Sequence, residues 1–155
     1  MKTTVKNPLS YTYDAARRGA KYTVDGIHFM NAGEFLEAAA KAVFGLDPRK
    51  DANTRFDKGS DVPEFNASVK SSRASLTTEK LAATLEESIE VYFRRVASTE
   101  FWYVTMLDDE VSVYRMNAET FRQFVTKFGK LNERGVIRLA STSAKVLAWL
   151  ESNVQ

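Results

Sequence analysis

The amino-acid sequence predicts an α/β (α+β) domain with a central mixed sheet flanked by helices, and three observations carry that prediction. Segments with a 3.6-residue apolar period and polar caps, at 31–44, 77–96 and 117–128, alternate with short β-patterned runs. The run 101–107, Phe-Trp-Tyr-Val-Thr-Met-Leu, is nearly continuous apolar sequence, as expected of a central strand covered on both faces. A chain of 155 residues, 44% hydrophobic and 27% charged, with no visible repeat, has the size and composition of one domain, 1–155, that buries its own core.

Residues 1–20 are polar with scattered tyrosines and the pair Arg17-Arg18, and are expected to form a flexible arm. Lys21-Tyr22-Thr23-Val24, Asp25-Gly26 and Ile27-His28-Phe29-Met30 predict a hairpin, because Asp-Gly suits the positive φ values of a tight turn. The helix over 31–44 opens on Asn31 as cap, with Glu34 spaced for a capping box and Gly45 as its stop. Phe35, Ala39, Ala42 and Val43 form its inward stripe, whereas Glu34, Glu37 and Lys41 share another face. Residues 46–63 read as irregular, with short strand candidates at Arg55-Phe56 and Asp61-Val62, and 64–71 as a strand. The helix over 77–96 turns Leu81, Leu85, Ser88, Ile89, Tyr92 and Val96 to one side. Asp108-Asp109-Glu110 turns the chain into a strand over 111–116. Asn117 caps a helix through Phe128, 136–139 is a short strand, and Ser143 starts a last helix to about Glu151. Trp102 and Trp149 are expected in the core or at a dimer contact.

Composition removes several classes of chemistry. No cysteine means no disulfide, no thiolate zinc site and no cysteine nucleophile, and a reducing cytoplasm is the expected location. No apolar run approaches about 18 residues, so no membrane span is expected, and the basic start lacks the apolar segment of a secretory signal. His28 is the single histidine, too few for a multi-histidine metal site. No Gly-x-Ser-x-Gly elbow, Walker loop or dinucleotide glycine fingerprint is present. A net charge of +2 is lower than a dedicated nucleic-acid binder usually carries, leaving a local patch as the route to such a partner.

The stretch 61–70 carries the strongest chemical hint. As an extended strand, Glu64, Asn66, Ser68 and Lys70 point to one side, while Phe65, Ala67 and Val69 point to the other. Asp61 sits just ahead, after Gly59-Ser60. Carboxylates are hard oxygen ligands for Mg²⁺ or Mn²⁺, and an amine beside the ion can orient or deprotonate a metal-bound water. Asp61 and Glu64 are the expected metal ligands with Lys70 as the catalytic amine, and the helix carboxylates Glu34 and Glu37 add a ligand if that helix crosses the same edge. In Lys70-Ser71-Ser72-Arg73-Ala74-Ser75, two cations and three hydroxyls before a helix suit phosphate oxygens, so Ser68, Ser71, Ser72 and Arg73 are the expected nucleic-acid contacts. Arg17, Arg18, Arg49, Lys50, Arg55 and Lys58 would extend a basic track.

The order of helix with Glu, short strands, Asp, strand ending in x-Val-Lys, helix and apolar strand resembles the PD-(D/E)xK nuclease superfamily. Restriction enzymes, Holliday-junction resolvases and phage exonucleases belong to it. The resemblance covers roughly 31–107 as a restriction-endonuclease-like core, with 108–155 as a C-terminal extension. It implies metal ligation by Asp61, a catalytic role for Lys70, and Mg²⁺-dependent DNA hydrolysis. Ser68 stands two residues before the lysine, where the family usually has an acid. Restriction enzymes with Ser-x-Lys take the second ligand from the following helix, which would make Glu86 or Glu87 the candidate here.

Plainer readings exist for the same residues. The polar face of 64–71 suits an exposed sheet edge where lysine discourages aggregation. Glu34 and Glu37 read as a cap and a surface residue, and Glu86, Glu87 and Glu90 as a solvent face. The rival function is a non-catalytic DNA- or protein-binding module of phage or plasmid type on the same scaffold. A dimeric protein inhibitor without nucleic-acid affinity is a third.

Overall fold

The computed structural model of the protein describes residues 1–9, 22–24, 27–29, 31–48, 60–76 and 84–154. In chain order the elements are β1 (Lys2–Lys6), β2 (Tyr22–Val24), β3 (Ile27–Phe29), α1 (Ala32–Val43), β4 (Ala67–Lys70) and β5 (Ser75–Leu76). There follow α2 (Leu85–Arg95), β6 (Glu100–Leu107), β7 (Glu110–Asn117), α3 (Ala118–Phe128), β8 (Gly129–Leu131), β9 (Ile137–Leu139) and α4 (Ala144–Asn153). The described helices all start on short polar side chains. Asn31, Thr84, Asn117 and Ser143 accept from the amides of Glu34, Glu87, Thr120 and Val146 at 2.9, 3.2, 2.8 and 3.3 Å. The second helix is therefore capped at Thr84, and residues 77–80 and Leu81 of its expected span lie outside the described residues. Asn117→Ala is expected to cost about 1 kcal/mol of stability, read as a lower denaturant midpoint at unchanged slope.

The central sheet is mixed, in the order β1-β7-β6-β4. β6 and β7 form a hairpin in which Leu107 faces Glu110. Asp108 and Asp109 take φ values of 49° and 62°, the double positive φ of a two-residue primed turn. β4 runs parallel to β6, with Lys70 beside Tyr103, and α2 makes the crossover that a parallel pair requires. Residues 101–106 are all buried, as the apolar run predicts.

Alternation along β6 and β7 divides the core into two layers. Trp102, Val104, Met106, Val111 and Val113 pack with α1 residues Phe35, Leu36, Ala38 and Ala39 on one face. Phe101, Tyr103, Tyr114 and Met116 pack on the other with Ile89 and Tyr92 of α2, Phe121, Phe124 and Val125 of α3, and Val146 and Leu150 of α4. Trp149 joins this layer, its ring 5.5 Å from that of Phe124. The result is an α/β domain whose central mixed sheet has helices on both faces. A second sheet, β5-β9-β8, continues from the end of β4.

Three expectations change. Residues 2–6 are no arm: β1 pairs antiparallel with β7 along its whole length, and 10–20 lie outside the described residues. Lys41, grouped with surface glutamates by helical period, is 2% exposed on a helix that is buried around most of its circumference. The segment after Leu107, expected as an extension, supplies β7 to the interior of the sheet between β1 and β6. β2 and β3 pair as the predicted hairpin, with Val24 facing Ile27. His28 lies in β3, and Arg55-Phe56 lies outside the described residues.

Candidate functional site

Parallel strands leave a crevice beyond their carboxyl ends, where ligands of open α/β sheets bind. Here a cleft of about 710 Å³ lies at the end of β4. Its lining includes Glu34 and Glu37 from α1, Asp61, Lys70, the turn 71–74, and Arg138 from β9.

The local sequence explains how Asp61 gets there. Val62 and Ala67 form an antiparallel bridge, each amide bonding the other's carbonyl at 3.0 and 3.1 Å. Between them Pro63 opens a short 3₁₀ turn (Pro63–Phe65), and Asn66 reverses the chain in the left-handed region at φ 48°. The chain thus doubles back, and Oδ2 of Asp61 accepts the Val69 amide at 2.8 Å, one residue from Lys70.

This turn corrects the strand expected over 64–71, which begins only at Ala67. Period-two alternation does not run through a 3₁₀ turn, so Glu64 does not share a face with Lys70. It is exposed and lies outside the cleft lining, and the metal and catalytic role expected of it is withdrawn. Ser68 is corrected too. It is 8% exposed, and its hydroxyl bonds Ser98 at 2.7 Å rather than facing the cleft. Ser98 in turn meets the Ser60 hydroxyl, which donates to Asn66, and this network ties β4 to the loop before β6. Glu86 and Glu87 are exposed on α2, outside the cleft lining.

Glu37 comes in from the side, one helical turn beyond the start of α1. Its carboxyl comes up against that of Asp61. Burial first, and then the charge of Asp61, push Glu37 up to about 8, partly offset by Lys41 one turn further along. Two carboxyls forced together in a desolvated site cannot readily both ionise, and Glu37 is the one held above the usual carboxylate range. Lys70 feels the opposite pressure. Burial lowers its amine from the ordinary lysine value, while Asp61 and Glu37 pull it back up. On the far side, burial and the Asp61 charge hold the Tyr92 hydroxyl of α2 above its usual value.

Glu37, Asp61 and Lys70 therefore come together, as do Ser71, Ser72 and Arg73. The Ser72 hydroxyl accepts the Thr142 amide at 3.0 Å, and Arg73, at φ 61°, is exposed at the rim. Arg138 is the cleft residue that the sequence reading did not single out. Pairing of Ser75 with Arg138 brings it in from 62 residues beyond Leu76. The Ile-Arg-Leu alternation marks it as outward-facing, but nothing local says which strand it joins.

Could such a site hold a divalent cation? Among the described residues no three carboxylate or histidine side chains are close enough to form a metal cluster. Two carboxyls, however, are what Mg²⁺ commonly takes from protein, with waters and substrate phosphate in its other positions. The crowding of Glu37 against Asp61, with burial, disfavours ionising both, and a cation placed between them would relieve it. A hard cation such as Mg²⁺ or Mn²⁺ is the kind that two such oxygen donors would take.

The fold and site define an α/β domain with a paired-carboxyl and lysine cleft beyond a parallel strand. No protein-family model, curated protein or solved structure matches the chain.

Proposed function

We propose that the protein is a metal-dependent phosphodiesterase acting on DNA, with Mg²⁺ or Mn²⁺ held by Asp61 and Glu37. The observation that supports this reading above all is that Glu37, Asp61 and Lys70, from three separate segments, share one cleft and one electrostatic system. A cation at the two carboxyls would lower the pKa of a bound water and offset charge developing on the phosphate. Asp61 is fixed for this by the Val69 amide, so it presents its remaining lone pairs without reorganising. Glu37 would give up its proton in holding the cation. The Lys70 amine, its proton loosened by burial, orients the attacking water and takes a proton from it. Arg73 and the hydroxyl of Ser71 hold the phosphate oxygens at the rim. The order of these parts is the one that resembles PD-(D/E)xK nucleases, with Glu37 replacing the acid that the strand lacks at Ser68.

The test is direct. Protein stripped with chelator and given Mg²⁺ or Mn²⁺ is expected to cut supercoiled, linear or branched DNA, and excess chelator to stop it. A folded protein that cuts none of these with either metal would refute the proposal.

One observation favours the rival reading, a binding module without hydrolysis. Ser68 is turned into the Ser98 network, so the strand contributes no acid and the ligand set stays at two carboxyls. Salt-sensitive DNA binding that persists in chelator, with no cleavage in metal, would identify that case.

A further inference from the structure

We infer that the nucleic-acid backbone leaves the cleft across the second sheet, over a row of cations formed by Arg73, Arg138 and Lys130. The inference deepens the reading of the site as one that takes DNA.

The first observation is continuity. A second cleft of about 430 Å³ adjoins the first, and Arg73 and Arg138 line both. Lys130, Asn132, Ser141 and Phe128 line the second one further on. No carboxylate side chain lines it, whereas Glu34, Glu37 and Asp61 line the first. Charge along the groove therefore changes from mixed, with three carboxyls beside Lys70, Arg73 and Arg138, to basic alone, which suits an anion.

The second observation is register. Arg138 faces Lys130 across β9 and β8, and Ser75 lies on the other side of Arg138 in β5. All three are exposed, while Leu76, Ile137 and Leu139 of the same sheet are buried. At about 4.8 Å per strand the line from Ser75 through Arg138 to Lys130 spans about 10 Å. On one strand of nucleic acid with a charge every ~3.4 Å of axis, that distance covers two or three phosphates. Like charges directly opposite each other destabilise an antiparallel pair. Among the described residues, neither Arg138 nor Lys130 has a carboxylate within salt-bridge distance, whereas Lys2, Arg115 and Arg122 each have one. A polyanion bound across the row supplies what the fold leaves out.

The third is rigidity. β8 starts directly at the end of α3, and a Cβ on Gly129 would lie 2.6 Å from the Val125 carbonyl oxygen and 3.0 Å from Ile137 Cγ2. Only glycine lets the strand press this closely on helix and neighbouring strand, which fixes where Lys130 points. Arg138 and Lys130 are thus preorganised on a sheet, with Arg73 on the short turn that leads into it.

Binding is measured in chelator, so that cutting plays no part, by anisotropy of labelled single-stranded and duplex DNA against salt concentration. Substituting Arg138→Gln and Lys130→Gln together is expected to reduce the slope of log affinity against log salt by about 1.5. Between about 50 and about 200 mM salt that is close to a tenfold smaller loss of affinity. Lys130→Arg is expected to keep the wild-type slope. Lys2→Gln, at the opposite edge of the central sheet, is expected to leave it unchanged, so that net charge alone is not the cause. The DNA form that shows the loss is the form that the groove accepts. A double variant that melts like wild type yet keeps the full slope on both forms, or a wild type that binds neither form, would overturn the inference. Slope loss in a protein that never cuts DNA in Mg²⁺ would leave the track standing and remove the hydrolytic reading instead.

Discussion

Asp61→Asn is expected to lower metal-dependent DNA cleavage by about 10³-fold or more while leaving the fold in place. Asparagine has the shape of aspartate and keeps an oxygen for the Val69 amide, which Asp61 now holds at 2.8 Å. What it removes is the charge. Without that charge Glu37 loses one of the two main causes of its raised pKa, and the cation loses the better-anchored of its two ligands. The measurement is single-turnover cleavage at saturating Mg²⁺, paired with a thermal melt of the same preparation. Glu86→Gln serves as the comparison, since Glu86 is exposed on α2 outside the cleft, and is expected to cut like wild type. An Asp61→Asn protein that cuts at the wild-type rate would mean that the carboxyl pair is not where the metal acts.

What the sequence made legible follows the range of the interactions concerned. Caps and apolar period are local, so the helices starting at Asn31, Asn117 and Ser143 were readable, as was the buried strand at 101–106. β1 was not, because Lys-Thr-Thr-Val-Lys is a weak strand signal and its partner β7 lies more than 100 residues away. Ser-Leu of β5 is too short to read at all. Within the site, Asp61 and Lys70 were found because they are close in sequence and chemically distinctive. Strand alternation misplaces Glu64 because a turn lies between it and Ser68. Pro63 sets φ at the start of a turn, and Asn66 tolerates the left-handed region, so the pair marks a break just where strand alternation was extended backwards. The spacing Glu64-x-x-x-Ser68-x-Lys70 carries no meaning across such a break. Glu37 was recognised as a ligand only if its helix crossed the strand edge, and that crossing is tertiary information. The same holds for Arg138, whose place depends on the pairing of β9 with β5.

The raised pKa of Glu37 makes stability, and on the proposed reading metal binding, depend on pH in opposite senses. In the unfolded chain Glu37 ionises near 4.5, and in the folded protein near 8. Between those values the folded state holds a proton that the unfolded chain has released, so stability of the metal-free protein falls as pH rises. From about pH 6 to about pH 8 the loss is expected to be about 2 kcal/mol, measured by denaturant titration in chelator. A cation must displace the same proton, so its apparent affinity rises over the same window by about fiftyfold. Mg²⁺ should therefore raise the melting temperature more at pH 8 than at pH 6, and calorimetry in buffers of different ionisation enthalpy should show proton release. Glu37→Gln mimics the protonated carboxyl beside Asp61. It is expected to flatten both pH dependences, to stabilise the metal-free protein at pH 8, and to weaken Mg²⁺ binding there. Wild-type affinity for Mg²⁺ that is equal at the two pH values would rule out Glu37 as a ligand. It would leave Asp61 alone to hold the ion, fewer protein oxygens than the proposed chemistry requires. On the proposed reading, the stability lost at high pH and the affinity gained there would be one feature seen from two sides: a crowded carboxyl pair, costly when empty and relieved by a cation.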